Sequence, residues 1–279
     1  MERLLNQDAI EKFKGYLLEE ERSAATVEKY LRDLRAFYEF IQENELSKAA
    51  VLEYKSRLLS KYAVTSANSM IAAINAFFRY LGRYELCVKQ YKIQRQAFSS
   101  EEKELTKAEY IKLVAAAKRK GNERLCLIIQ TICGSGIRVS ELKYITVEAV
   151  MRGEALVSCK GKSRRIFVVA ELRKRLLLYI RERKIKSGAV FVTKNGKSVS
   201  RHSIWRDMKS LCKDAGVLPS KVFPHNLRHL FARTFYGLER DIAKLADILG
   251  HASINTTRIY ITTTAHEHRR KMENLRLIL

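Results

Sequence analysis

Apolar positions recur at three- and four-residue spacing throughout the first 86 residues, the signature of helices with one buried face. Val27, Tyr30, Leu31, Leu34, Phe37, Tyr38 and Ile41 share one such face, entered at Ser23, whose hydroxyl suits an N-cap. Met70, Ile71, Ile74, Phe77, Phe78 and Leu81 form a second stripe, entered at Thr65 or Ser66. Weaker stripes surround Ile10, Phe13 and Leu17, and Val51, Tyr54 and Leu58. Four helices with one apolar face each can enclose a small core. The pattern therefore predicts a helical domain over 1–86, with its aromatic stripes as core and not as a base-stacking platform.

Periodicity fails between Cys87 and Glu104, where Gln94, Arg95, Gln96, Ser99 and Ser100 dominate, so 87–104 reads as a linker. A capping box, Thr106 with Glu109, opens a new helix, and its partner carries Leu125, Ile128, Ile129 and Ile132. Two β-rich runs follow, 155–158 and 165–169, joined by the turn-forming Lys160-Gly161-Lys162-Ser163. Val190-Phe191-Val192, before Asn195-Gly196, predicts a third strand. The remainder reads as helices near 171–185, 200–215, 225–236, 241–249, 254–260 and 266–278. The fold class expected is thus mainly α with a small β-sheet, the second domain spanning 105–279 with a tail helix at 265–279.

Charge adds a partner. The chain carries 53 Lys and Arg against 30 Asp and Glu, a net +23. Residues 1–86 are neutral overall, so the whole excess lies beyond them. Within 1–86 the second half, 47–86, is the basic part and the surface expected to face a nucleic acid. Such a charge implies a polyanionic partner, although an RNA binder would satisfy it equally well. Five cysteines stand singly, with no Cys-x-x-Cys pair. That pattern argues against a disulfide framework and a zinc site and for the cytoplasm. No run reaches the ~18–20 apolar residues of a membrane span, and the N-terminus lacks the form of a signal peptide.

Candidate chemistry gathers in two segments. Cys133-Gly134-Ser135-Gly136-Ile137-Arg138-Val139-Ser140-Glu141 places a glycine-rich turn before a short helix with Arg138 at its start, where backbone and helix dipole favour a phosphate. Pro224-His225-Asn226-Leu227-Arg228-His229 opens another helix with His225 and Arg228 on one face. His251 follows Gly250, and Tyr260 lies a short way beyond. Arginine grips phosphate oxygens through a planar fork that does not lose its charge. Tyrosine suits an attack that must later be reversed, because a phenolate leaves phosphorus more readily than an alkoxide does. His266 and His268 lack further ligands for a metal and read as solvated.

These residues closely resemble the tyrosine recombinase (phage integrase) family, most specifically over 131–142 and 224–260. The family pattern is Arg in a Gly-x-Arg-x-Ser-Glu box, Lys on a β-hairpin turn, His-x-x-Arg, His or Trp, and Tyr about nine residues later. Here it falls on Arg138, Lys160, His225 with Arg228, His251 and Tyr260, with Glu141 at the supporting acidic position. Lys162 shares the turn of Lys160, and the Lys-Gly order selects Lys160. The resemblance implies a four-helix core-binding domain and a mixed catalytic domain. It implies site-specific cutting and rejoining of double-stranded DNA through a 3′-phosphotyrosyl intermediate, with neither cofactor nor metal. Arg138 and Arg228 would hold the non-bridging oxygens, and Lys160 would protonate the leaving 5′-oxygen. His225 and His251 would assist proton transfer, while Arg164 and Arg165 would hold backbone phosphates. It also implies a homotetramer on two duplexes, with the tail docking on a neighbour, and leaves room for a directionality factor. The layout resembles the simple two-domain members, without an arm-binding domain. Ile261-Thr262-Thr263-Thr264 departs from the Thr-His-Val associated with Xer proteins and tilts the role towards integration and excision of a mobile element. Xer-type chromosome dimer resolution is the alternative. A type IB topoisomerase-like enzyme and an inactive DNA-binding regulator stand further off.

Overall fold

The computed structural model describes residues 6–41, 46–93, 103–159, 162–193, 195–261 and 273–274. The chain forms two compact units, Met1–Arg95 and Gln96–Leu279. Lys160 and most of the expected tail helix lie outside the described residues.

In the first unit four helices enclose one core: α1 (Gln7–Glu19), α2 (Ala24–Ile41), α3 (Lys48–Lys61) and α4 (Val64–Tyr80). Asn6 caps α1 through the Ala9 N–H, and Ser47 caps α3 through that of Ala50. The Ser23 hydroxyl accepts from the Thr26 N–H at the entry of α2. The four predicted stripes supply the buried positions, and Phe13, Phe37, Phe77 and Phe78 are fully inside. Phe37 meets Tyr54 and Phe78 edge-on, so the aromatics of this unit are core. The first residues of the expected linker lie along α4. Two asparagines two helical turns apart hold them there: the Asn75 amide pairs with both backbone groups of Val88, and Asn68 pairs with both of Tyr91.

The second unit is built around α6 (Glu123–Ser135), whose Leu125, Ile128, Ile129 and Ile132 are buried. Before it comes α5 (Lys107–Arg119), opened by the predicted Thr106–Glu109 capping box. A 3-10 turn (Val139–Tyr144) and α7 (Val147–Arg152) lead to the antiparallel hairpin β1 (Glu154–Cys159) and β2 (Lys162–Phe167). After it follow α8 (Ala170–Glu182), α9 (Arg201–Lys209), α10 (Cys212–Ala215), α11 (Pro224–Glu239), α12 (Ile242–Leu249) and α13 (Ile254–Ile261).

Two expectations change. Among the described residues the run 190–192 does not join the sheet; its one isolated bridge pairs Val192 with Ser198, and a second, just before it, pairs Thr146 with Ala189. Val190 and Phe191 are buried in the core of this unit, which gives a short apolar run the same look as a strand. The helix expected over 200–215 is interrupted at Ser210 and Leu211. Among the described residues no helix is long and apolar enough to cross a membrane.

Candidate active site

The turn after α6 exists because Gly136 adopts φ 65°, a left-handed conformation that ends the helix. A side chain there would also collide with the Phe231 ring, its Cβ only 2.5 Å from Cδ1. Two consequences follow. The chain turns sharply enough to present Arg138 at the head of the 3-10 turn, and the Gly136 carbonyl is free to accept from Arg228.

Glu141 is the hub of one half of the site. It is 3% exposed. Its carboxylate accepts from the Arg138 backbone N–H at 2.8 Å and from Arg138 Nη1 at 2.9 Å. Arg164 donates to both of its oxygens, at 2.7 and 3.3 Å. A buried carboxylate clamped by two guanidiniums fixes both forks, and the pair of arginines still carries a surplus positive charge. Arg138 Nη2 also reaches the Gly250 carbonyl at 3.3 Å. Gly250, at φ 64°, leaves the space through which the Arg164 side chain passes. The expectation that Arg164 holds backbone phosphates is therefore corrected: β2 alternates, and Arg164 points inward with Ile166 and Val168, whereas Arg165 points out.

Arg228 anchors the other half. It is 1% exposed, and donates to the carbonyls of Gly136 (2.5 Å) and Leu249 (2.7 Å) and to His251 Nε2 (3.0 Å). Its buried Nε makes no hydrogen bond among the described residues. Such an orphan donor is costly, and an incoming anion would satisfy it. Burial, and then the Arg138 charge, pull the Arg228 pKa down to about 10, so the guanidinium stays charged at neutral pH.

Because Arg228 donates to His251 Nε2, that nitrogen is the acceptor; Nδ1 then carries the proton and donates to Thr257 Oγ1 at 2.9 Å. His251 is thus a neutral imidazole with both nitrogens engaged. Burial and the charges of Arg228, Arg138 and Arg164 push its pKa down to about 4. His225 is lowered too, by burial and then by Arg228, Arg201 and Arg138. His229 is pushed down to about 4 by burial, then by His225 and Arg228.

Tyr260, 6% exposed, lies among these groups. Its ring centre is 5.3 Å from that of His225, 5.0 Å from His251 and 4.1 Å from His229, and the Arg228 guanidinium carbon is 5.9 Å from it. A cavity of about 560 Å³ opens at the site, lined by Arg138, His225 and Arg228 together with Arg201, His202 and Trp205. Six of the seven residues singled out in the sequence thus converge: Arg138, Glu141, His225, Arg228, His251 and Tyr260. Sequence reading missed His229 and the inward Arg164. The signals were present, in the one-turn spacing of His225 and His229 and in the alternation of β2.

The three depressed histidines make acid stability a test of this packing. Between pH 6.5 and about 4 the unfolded chain binds protons that the folded site refuses, so stability falls as pH drops through that window. Trp205 is the sole tryptophan and belongs to this unit. Urea melts followed by its fluorescence should shift to lower midpoints from pH 7 to pH 5. A midpoint constant over that range would contradict the buried, neutral imidazoles.

Comparison with known proteins adds independent evidence. Residues 103–267 match the phage integrase family, and residues 10–85 match the phage integrase N-terminal SAM-like domain. The tyrosine recombinase XerA of Pyrococcus furiosus is 30% identical, over 99% of this chain and 97% of that protein. In fold, the chain is similar to the XerH site-specific recombinase bound to its difH substrate, with a TM-score of 0.72 at 20% identity, covering 94% of this chain and 83% of that one. It is equally similar to the Tn1549 transposon integrase in complex with transposon right end DNA, with a TM-score of 0.72 at 16% identity, covering 96% and 99%.

Proposed function

From the premise that the chain belongs to the phage integrase family of tyrosine recombinases, which break and rejoin DNA, we propose that Tyr260 is its nucleophile and Arg138 and Arg228 its phosphate clamp. The observation that carries this reading is the placement of the Tyr260 ring against the buried Arg228 of the same chain, inside a group of three imidazoles.

The Tyr260 oxygen attacks the scissile phosphorus while the bond to the 5′-oxygen breaks. His225, which makes no hydrogen bond among the described residues, takes the phenolic proton. His251 cannot do so while both its nitrogens are engaged; it holds Arg228 in place. Arg138 and Arg228 meet the two non-bridging oxygens, where negative charge accumulates in the transition state. The leaving 5′-oxygen takes its proton from Lys160, as the resemblance implies. Glu141 keeps Arg138 oriented. The 3′-phosphotyrosyl bond conserves the energy of the broken strand, so a 5′-hydroxyl from a second duplex reverses the chemistry without ATP. The enzyme works on double-stranded DNA bearing specific sites, as a homotetramer on two duplexes, with the tail linking protomers and a directionality factor as a possible accessory.

For the biological role, the four residues after Tyr260 support integration and excision of a mobile element. The near full-length similarity to a protein named XerA supports a second reading, Xer-type dimer resolution. Gene neighbourhood separates the two. Adjacent excisionase or transfer genes favour the first, and a solitary locus with a genomic dif-like site favours the second.

The biochemical test is strand exchange between two labelled duplexes carrying the site selected from a random library by the protein itself. Recombinant joints should form in EDTA as well as in magnesium. Relaxation of supercoils without joints would favour a topoisomerase-like enzyme, and a strict magnesium requirement would contradict the proposed chemistry.

A further inference from the structure

We propose that His229 is a positioning residue for the nucleophile, holding the Tyr260 ring by face-to-face stacking and taking no part in proton transfer. The inference rests on the reading of Tyr260 as nucleophile.

Three histidines approach Tyr260, and they do so differently. His225 meets it at an interplanar angle of 67° and His251 at 45°, whereas His229 lies at 17° with the ring centres 4.1 Å apart. Only His229 lies face to face with the ring. The N–H and the lone pair of an imidazole lie in the plane of its ring. In a stack, that plane runs alongside the phenol, so the nitrogens of His229 point past the phenolic oxygen and not at it. Stacking and proton abstraction therefore exclude each other in this geometry.

The helix that carries the tyrosine needs such a hold. α13 is eight residues long, too short to be stable alone. Only Thr257 and Tyr260 on it are buried; Ile259, beside the tyrosine, is 66% exposed. Thr257 is held through His251, and the Tyr260 ring through the imidazoles. His229 is suited to this because it sits one turn after His225 on α11, a sixteen-residue helix whose Leu227, Arg228, Leu230 and Ala232 are all buried. His225 and His229 themselves touch edge-on, at 4.7 Å and 71°. The rigid helix thus places one histidine steeply inclined to the Tyr260 ring and one parallel to it. Burial keeps His229 neutral, which avoids a further positive charge beside Arg228.

The test compares His229→Phe, His229→Gln and His229→Ala in the full chain. The readouts are the single-turnover rate of covalent adduct formation on a nicked duplex, from pH 6 to 8, and the affinity for the same duplex. The Phe variant keeps an aromatic face and no proton, and should cleave within about fivefold of wild type with an unchanged pH profile. The Ala and Gln variants should lose about a hundredfold in rate, the scale of a nucleophile displaced by an ångström, while affinity stays within about twofold. If Ala does not fold, as judged by the Trp205 unfolding transition, the Phe and Gln pair decides alone. An active Gln variant with an inactive Phe variant would overturn the proposal in favour of hydrogen bonding or proton transfer. Wild-type rates in both Gln and Ala would show that the stack does nothing. Tyr260→Phe serves as the control: adducts persisting in it would sink the nucleophile assignment itself, which is a different failure.

Discussion

Tyr260→Phe is expected to abolish covalent protein–DNA adducts while leaving affinity for the target duplex within about twofold of wild type, because only the proposed nucleophilic oxygen is removed. The ring remains, and with it the stack on His229 and the contacts with His225 and His251, so α13 keeps its place. The phenolic oxygen also interacts with Arg228, but that guanidinium keeps its bonds to the Gly136 and Leu249 carbonyls and to His251 when the oxygen is gone. A nicked duplex that traps the wild-type protein should therefore trap none of the variant, while both shift the duplex equally in a binding assay. Loss of binding together with cleavage would instead give Tyr260 a structural role.

Arg228→Ala should cost both stability and catalysis. Its side chain is among the largest fully buried ones and spans two backbone carbonyls and His251. Truncation leaves those acceptors inside without a donor, at about 1–3 kcal/mol for each buried group left unsatisfied. Relief of a buried charge offsets part of this. If Arg138 and Arg228 form the proposed clamp, the transition state loses one of its two guanidiniums, for which about 10²–10³ in rate is the usual cost. Arg228→Lys restores charge without the planar fork, and should recover little of either, since an ammonium cannot reach three fixed acceptors in their present directions. Arg138→Ala provides the contrast. Its side chain is 36% exposed, so cleavage should fall with a much smaller change in melting temperature. Cleavage by Arg228→Ala within tenfold of wild type would remove that residue from the clamp.

Much of this could be read from the sequence because the relevant signals are local. The stripes around Phe37 and Phe77 repeat with the helical period and need no partner to be recognised. The Thr106–Glu109 capping box and the turn at Gly136 likewise depend on neighbours three or four residues away. Six functional candidates were legible as types in fixed settings, an arginine after a glycine turn or a histidine at a proline-started helix. What escaped depends on contacts distant in sequence. Val190, Phe191 and Val192 have the composition of a strand, and only their surroundings decide that they bridge instead. Arg164 was read by its charge, whereas the alternation of β2 sends it inward to Glu141, 23 residues away. His229 passed as part of a motif, since its partner Tyr260 reaches it only once α13 folds back on α11. Lys160 and most of the tail expected at 265–279 lie outside the described residues.

The central claim is that this chain joins itself to DNA through one named oxygen, and mass spectrometry of the trapped wild-type adduct reads that atom directly. After nuclease and trypsin digestion, the nucleotide should be carried by the peptide spanning 259–269, on Tyr260, and the released strand should end in a 5′-hydroxyl. A nucleotide on any other residue, or a 5′-phosphate on the released strand, would contradict the account.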